Sequence, residues 1–157
     1  MKNSTTSRSV FLSRMALFIV FVWFGFLKVI GMSPAEELVG RLFDETLSFA
    51  LAKNQFIVAF GFFEMALGTL WLFGKYTKIA FVLLCIHMFC TFLPMVLLLD
   101  ATWQSFMVLT LVGQYIVKNL VLLASAYFIF EQWQSLRKPL VEPRNASESI
   151  GRELVLD

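Results

Sequence analysis

Residues 56–73 read FIVAFGFFEMALGTLWLF, an apolar run of membrane-spanning length with a single carboxylate, Glu64, near its middle. An ionisable group at bilayer depth costs about 2.5–3.5 kcal/mol on insertion scales, so it needs a partner or a function. Gly61, Glu64 and Gly68 follow i, i+3, i+7 spacing and share one helical face. Small residues on such a face let a second helix approach closely. The fold must therefore supply something that faces Glu64.

Composition extends the membrane reading to the whole chain. Of 157 residues, 59% are hydrophobic and 15% charged, and 18 are Phe. A soluble domain is about half apolar and about a quarter charged. At about 20 apolar residues per crossing, the sequence predicts an all-α integral membrane four-helix bundle forming one domain. The net charge of +2 lies along the chain ends and loops and gives no basis for nucleic-acid binding. Cys85 and Cys90 lie five apart in one apolar run, point to different faces and do not define a redox compartment.

Residues 1–13 are polar and basic, and the run after Arg14 lacks a small-x-small cleavage site, so an uncleaved first span is expected over about 14–31. Lys28, near its far end, is placed to reach the interface. Ser33-Pro34-Ala35-Glu36 predicts a helix start, with Ser33 as N-cap, Pro34 in the first helical position and Glu36 completing a capping box. Over about 34–51, Leu38, Val39, Leu42, Phe43, Leu47 and Ala50 oppose Glu37, Arg41, Asp44, Glu45 and Ser48. That pattern predicts an amphipathic interfacial helix between spans one and two. The further spans are expected at about 56–73, 79–99 and 106–130, with Pro94 kinking the third. Residues 131–157 form a charged tail whose composition suits partial disorder. Lys and Arg in the N-terminus, at Lys75 and Lys78, and at Arg137 and Lys138 put those flanks and both termini on the cytoplasmic side.

Depth then brings candidate site residues together. At about 1.5 Å per residue, Glu64 lies about 15 Å in from Asn54, His87 about 18 Å from Leu99 and Lys118 about 20 Å from Ser105. With Gln114 slightly nearer the outside, these residues are expected to form an intramembrane polar cluster: Glu64, His87, Gln114, Lys118. One reading is a structural Glu64–Lys118 ion pair, helped by Gln114, that fixes helix register. Another has Glu64 titrating or binding a polar headgroup such as a quinone carbonyl. In a third the residues do not meet. A lone His87 cannot supply two haem ligands, and Cys85, His87 and Cys90 diverge on a straight helix, so no metal site is expected. No phosphate loop, nucleophile elbow or HExxH motif occurs. Asn145-Ala-Ser147 fits a glycosylation sequon but falls on the expected cytoplasmic side.

Three separated patches carry a family resemblance. They are Phe24-Gly25-Phe26-Leu27-Lys28, Gly61-Phe62-Phe63-Glu64 and Gly113-Gln114-Tyr115-Ile116-Val117-Lys118-Asn119. In order they resemble the G-x-x-K, G-x-x-E and G-R-x-x-x-K-D patterns of the DoxX-like membrane proteins, including relatives linked to reactive chlorine resistance. The likeness covers most of residues 14–130. It implies a four-helix protein of the bacterial inner membrane, with roles in quinone-linked thiosulfate oxidation or oxidative-stress complexes among its members. Gln114 stands where the family commonly has Arg, and Asn119 where it has Asp, so the family's polar cluster is half present.

Two functions of different class follow as expectations. One is a small membrane subunit of a redox or oxidative-stress system that contacts quinone, with no other cofactor. The other is a non-catalytic accessory subunit packed against a larger membrane complex or against further copies of itself. A proton path or transporter would need an oligomer, because four spans leave little room for a pathway.

Overall fold

The computed structural model describes residues 2–46 and 52–137. The expected end of the interfacial helix, most of the charged tail and the Asn145 sequon lie outside those residues. Among the described residues the chain is predominantly helical, with one two-stranded hairpin.

The first helix, α1 (Lys2–Val29), begins well before the expected start of the first span. No Gly or Pro interrupts it before Gly25. Its 28 residues rise about 42 Å, more than the ~30 Å of a hydrocarbon core, so its polar first turns continue the helix beyond the apolar part. Ser33 opens the next turn: its Oγ accepts from the Ala35 N–H at 3.3 Å and its carbonyl from the Glu36 N–H at 3.1 Å. The regular helix α2 (Glu36–Thr46) therefore starts two residues after Pro34, with Glu36 and Glu37 in its first turn where the helix dipole favours them. It buries Gly40 and Phe43, and Phe43 packs on Phe56 with ring centroids 4.9 Å apart.

Helix α3 (Lys53–Leu70) carries Glu64. A single 3₁₀ turn (Gly74–Tyr76) leads into α4 (Thr77–Phe92). Pro94 does more than bend the third segment. It has no N–H to donate, the Leu93 N–H turns to the Cys90 carbonyl at 3.2 Å, and the chain continues as two short helices, α5 (Pro94–Leu97) and α6 (Leu99–Thr102). The stretch expected to open the fourth span instead forms an antiparallel hairpin, β1 (Trp103–Ser105) with β2 (Val108–Leu109). The last helix, α7, consequently runs Leu111–Ser135, with Thr110 as its N-cap accepting from the Gly113 N–H at 3.1 Å.

Helix α1 packs most extensively on α3, and α4 on α7, while α1 also meets α7 and α3 meets α4. All four contribute to one core, which includes Leu17, Phe21, Leu67, Leu84, Ala126 and Ile129. Large apolar side chains such as Trp23, Phe62, Phe89 and Val121 face outward. Three segments, Thr6–Val29, Gly74–Leu97 and Leu111–Ser135, are long and apolar enough to cross a membrane. Helix α3 is not among them: Lys53, Asn54 and Gln55 occupy its first turn and Glu64 its middle.

Candidate functional site

The site grows from a close crossing of α1 and α3. A Cβ on Gly25 would lie 2.5 Å from the Gly61 carbonyl oxygen, and one on Gly61 would lie 2.7 Å from that of Gly25. Only hydrogen fits between the two backbones. Gly61 meets Gly25, Lys28 and Val29, whereas Gly68 meets Phe18, Phe21 and Val22, so the helices run antiparallel.

Lys28 and Glu64 each follow their glycine by three residues. Helical side chains lean toward the N-terminus of their own helix. On antiparallel helices that direction carries these two toward each other. The Lys28 stem passes over Gly61, whose added Cβ would stand 3.0 Å from Lys28 Cβ, and Nζ donates to Glu64 Oε2 at 2.6 Å. Both residues are only 4% exposed. The ammonium also stands 5.6 Å from the centre of the Phe60 ring, a cation–π contact.

His87 of α4 completes the cluster from the other side. Its Nε2 lies 3.5 Å from Glu64 Oε1, beyond the usual hydrogen-bond range. The imidazole stacks on Phe60 at 5.2 Å and meets Phe21 edge-on at 5.3 Å. Thr91 donates its hydroxyl to the His87 carbonyl at 2.9 Å. His87 Nδ1 is buried and has no hydrogen-bond partner.

No protein-family model, curated protein or solved structure matches this chain. The chemistry of the site therefore rests on its own geometry.

Of the residues expected to share a polar cluster, Glu64 and His87 come together. Gln114 and Lys118 do not join them; both are exposed on α7, and the Lys118 ammonium lies 4.8 Å from the Tyr115 ring centre. Asn119 is half-buried. The partner of Glu64 is Lys28, not Lys118. Lys28 was expected at the interface but turns inward, because Gly61 opens a path for its stem. Gly113, the remaining family-type glycine, is buried against Thr102 at the base of the hairpin.

Lys28 and Glu64 form an ion pair with no net charge, which suits an apolar interior. The cluster places a carboxylate oxygen 3.5 Å from one imidazole nitrogen and leaves the other, Nδ1, without a hydrogen-bond partner. Among the described residues no group of three or more His, Cys, Asp and Glu is arranged to hold a metal ion.

A second cation, half-buried near the middle of α1, fastens the far end of α3. Arg14 donates to the Trp71 carbonyl at 2.8 Å and to Thr77 Oγ1 at 2.7 Å, tying together the end of α3 and the start of α4. Sequence reasoning gave Arg14 no such role. At the α2 end, Arg41 pairs with Asp100 at 2.6 Å, and Lys53 pairs with Asp44.

Proposed function

We propose that this chain is a small DoxX-like protein of the bacterial inner membrane, acting as a membrane subunit of a redox or oxidative-stress system. In this reading α1, α3, α4 and α7 all cross the bilayer as a four-helix bundle, α2 lies along the outer surface, and both termini are cytoplasmic. The Lys28–Glu64–His87 cluster is the working centre, and quinone is the small molecule whose carbonyl chemistry it would meet. The observation that carries the proposal is the burial of that cluster, because an ionisable residue at membrane depth is rare and is by default a functional-site candidate. The crossing of Gly25-x-x-Lys28 with Gly61-x-x-Glu64 further supports the DoxX-like reading, since it gives both patterns one physical purpose.

The test is gentle-detergent purification with identification of bound lipids and quinones, alongside oxidant sensitivity of a deletion strain complemented with wild type, Glu64→Gln or His87→Phe. The expected result is bound quinone and a phenotype restored by wild type only. Full rescue by His87→Phe with no quinone bound would sink the redox reading. Thiol labelling of Lys75→Cys and Glu37→Cys in sealed vesicles tests orientation, with labelling of Glu37→Cys alone expected from outside.

A second reading, a non-catalytic accessory subunit, is favoured by a separate observation. Gln114, Tyr115 and Lys118 stand exposed on a helix apolar enough to cross a membrane, where a partner subunit could satisfy them. Stable co-purification with a defined partner, lost in Lys118→Met, would support that reading.

A further inference from the structure

The hairpin between α6 and α7 joins a firmly built base to an unusual tip. At the base, the Thr110 N–H donates to the Thr102 carbonyl at 3.0 Å and the Thr110 hydroxyl to the Ala101 carbonyl at 2.7 Å. Thr102 is fully buried, and the Trp103 indole N–H donates to the Met95 carbonyl at 3.1 Å. Gly113 of α7 fits so closely beneath that an added Cβ would lie 2.3 Å from the Thr102 oxygen. The hairpin is thus held in a fixed direction.

Its two turn residues are Phe106 and Met107, 93% and 76% exposed. Met107 has φ of +63°, a conformation that favours Gly or Asn at this turn position. A turn meant for water would carry those residues or other short polar ones. Here the chain places two large apolar side chains in open space, on a backbone that disfavours one of them.

What covers them follows from their surroundings. Val96, Leu97 and Leu99 are exposed beside the hairpin, and so are Val108 and Leu111 at its return. Further along α7, Val117 and Val121 are exposed as well, with Gln114 and Lys118 exposed between the hairpin and Val121. The outward face of a membrane-crossing helix is covered by lipid, and Trp, Phe and Leu side chains of a surface segment bury at the boundary of headgroups and acyl chains. We infer that Phe106 and Met107 form a membrane-interface anchor, seated in the phospholipid bilayer beside the ends of α5 and α7. The inference rests on the membrane-spanning reading but does not depend on which side of the membrane the hairpin occupies. The anchor would fix the depth of the break at Pro94, since α5, α6 and the hairpin are hydrogen-bonded as one piece.

The test uses the full chain with Cys85 and Cys90 replaced by Ala, reconstituted as single copies in nanodiscs. An environment-sensitive fluorophore is attached at Phe106→Cys, with Met107→Cys as a second probe should the first perturb the hairpin. Val121→Cys serves as the lipid-facing reference and Lys75→Cys as the aqueous one. Acyl-chain-brominated phosphatidylcholine is the quencher. The expected result is blue-shifted emission at the tip, quenched as at Val121→Cys and unlike Lys75→Cys. Tip labels that behave like Lys75→Cys while Val121→Cys is quenched would overturn the anchor alone. Blue-shifted but unquenched tip labels would place the tip against protein and also overturn it. An unquenched Val121→Cys would overturn the membrane-spanning reading itself.

Discussion

Gly25 and Gly61 cross with their backbones in contact, and this crossing determines which charges meet. Three residues on along each of two antiparallel helices, Lys28 and Glu64 stand apart along the axes. Their side chains lean into that gap from opposite ends and close it at 2.6 Å. The pair sits where the crossing puts it.

Breaking the pair is expected to be costly. Removing one member of a buried ion pair strands the other, at about 3–5 kcal/mol. Lys28→Met or Glu64→Gln alone should therefore lower thermal stability in detergent clearly, and the double variant should recover much of the loss. A double-mutant cycle on the four proteins measures the coupling. Simple additivity would show that the two side chains do not interact.

The crossing itself is tested by Gly61→Ala. Its methyl group must displace the Gly25 carbonyl or the Lys28 stem, and overpacking of this kind costs about 1–3 kcal/mol. Gly74→Ala, at a glycine with open space around it, should stay within about 0.5 kcal/mol of wild type. Equal melting temperatures for both variants would argue against the close approach.

Lys118→Met offers a contrast within the isolated protein. An exposed side chain whose recorded contact is its neighbour Tyr115 should change stability by no more than about 0.5 kcal/mol. A loss as large as that of Lys28→Met would place Lys118 in a contact between protein molecules.

The position of α2 should depend on pH at the Arg41–Asp100 contact. The hydrogen bond from Arg41, followed by its charge, holds the Asp100 carboxyl below its ordinary value. A depressed carboxylate stabilises the folded form above its unfolded pKa, about 3.9. That contribution is lost as pH falls through the lower folded value. Protection factors of α2 amides, corrected for the intrinsic pH dependence of exchange, should fall over that acid range and also with added salt, because both side chains are exposed. Asp100→Asn should remove the pH response and leave α2 exchanging faster at neutral pH.

What was legible in the sequence follows from how each signal is encoded. The Glu64 face was visible because Gly61, Glu64 and Gly68 repeat at helical spacing. Level along the helices brought Glu64 and His87 together, but direction around the axis was not readable, and level alone drew Gln114 and Lys118 inward. The buried residues of α7, among them Gly113, Ile116, Ala126 and Ile129, mark the inward stripe, and Gln114 and Lys118 fall off it. Lys28 looked like an interfacial residue because it is near the end of its helix. Its true partner was signalled by two equal spacings, Gly25 to Lys28 and Gly61 to Glu64, which gain meaning only when the helices are paired antiparallel. The hairpin was hidden because Phe106 to Leu109 is apolar enough to merge with the helix that follows.

Arg14 and Lys28 have a bearing on how the protein is made. Glu64 is synthesised 36 residues after Lys28, and Trp71 comes 57 residues after Arg14. At about 5–20 residues per second, α1 waits about 2–7 s before Glu64 is even translated. Throughout that wait Arg14 and Lys28 lack their eventual partners, so α1 gains its full hold in the membrane only when α3 joins it. Nascent chains arrested just before Glu64 are expected to be degraded faster than chains arrested after Trp71, and pulse–chase measurement of the two would show whether α1 and α3 mature as a single unit.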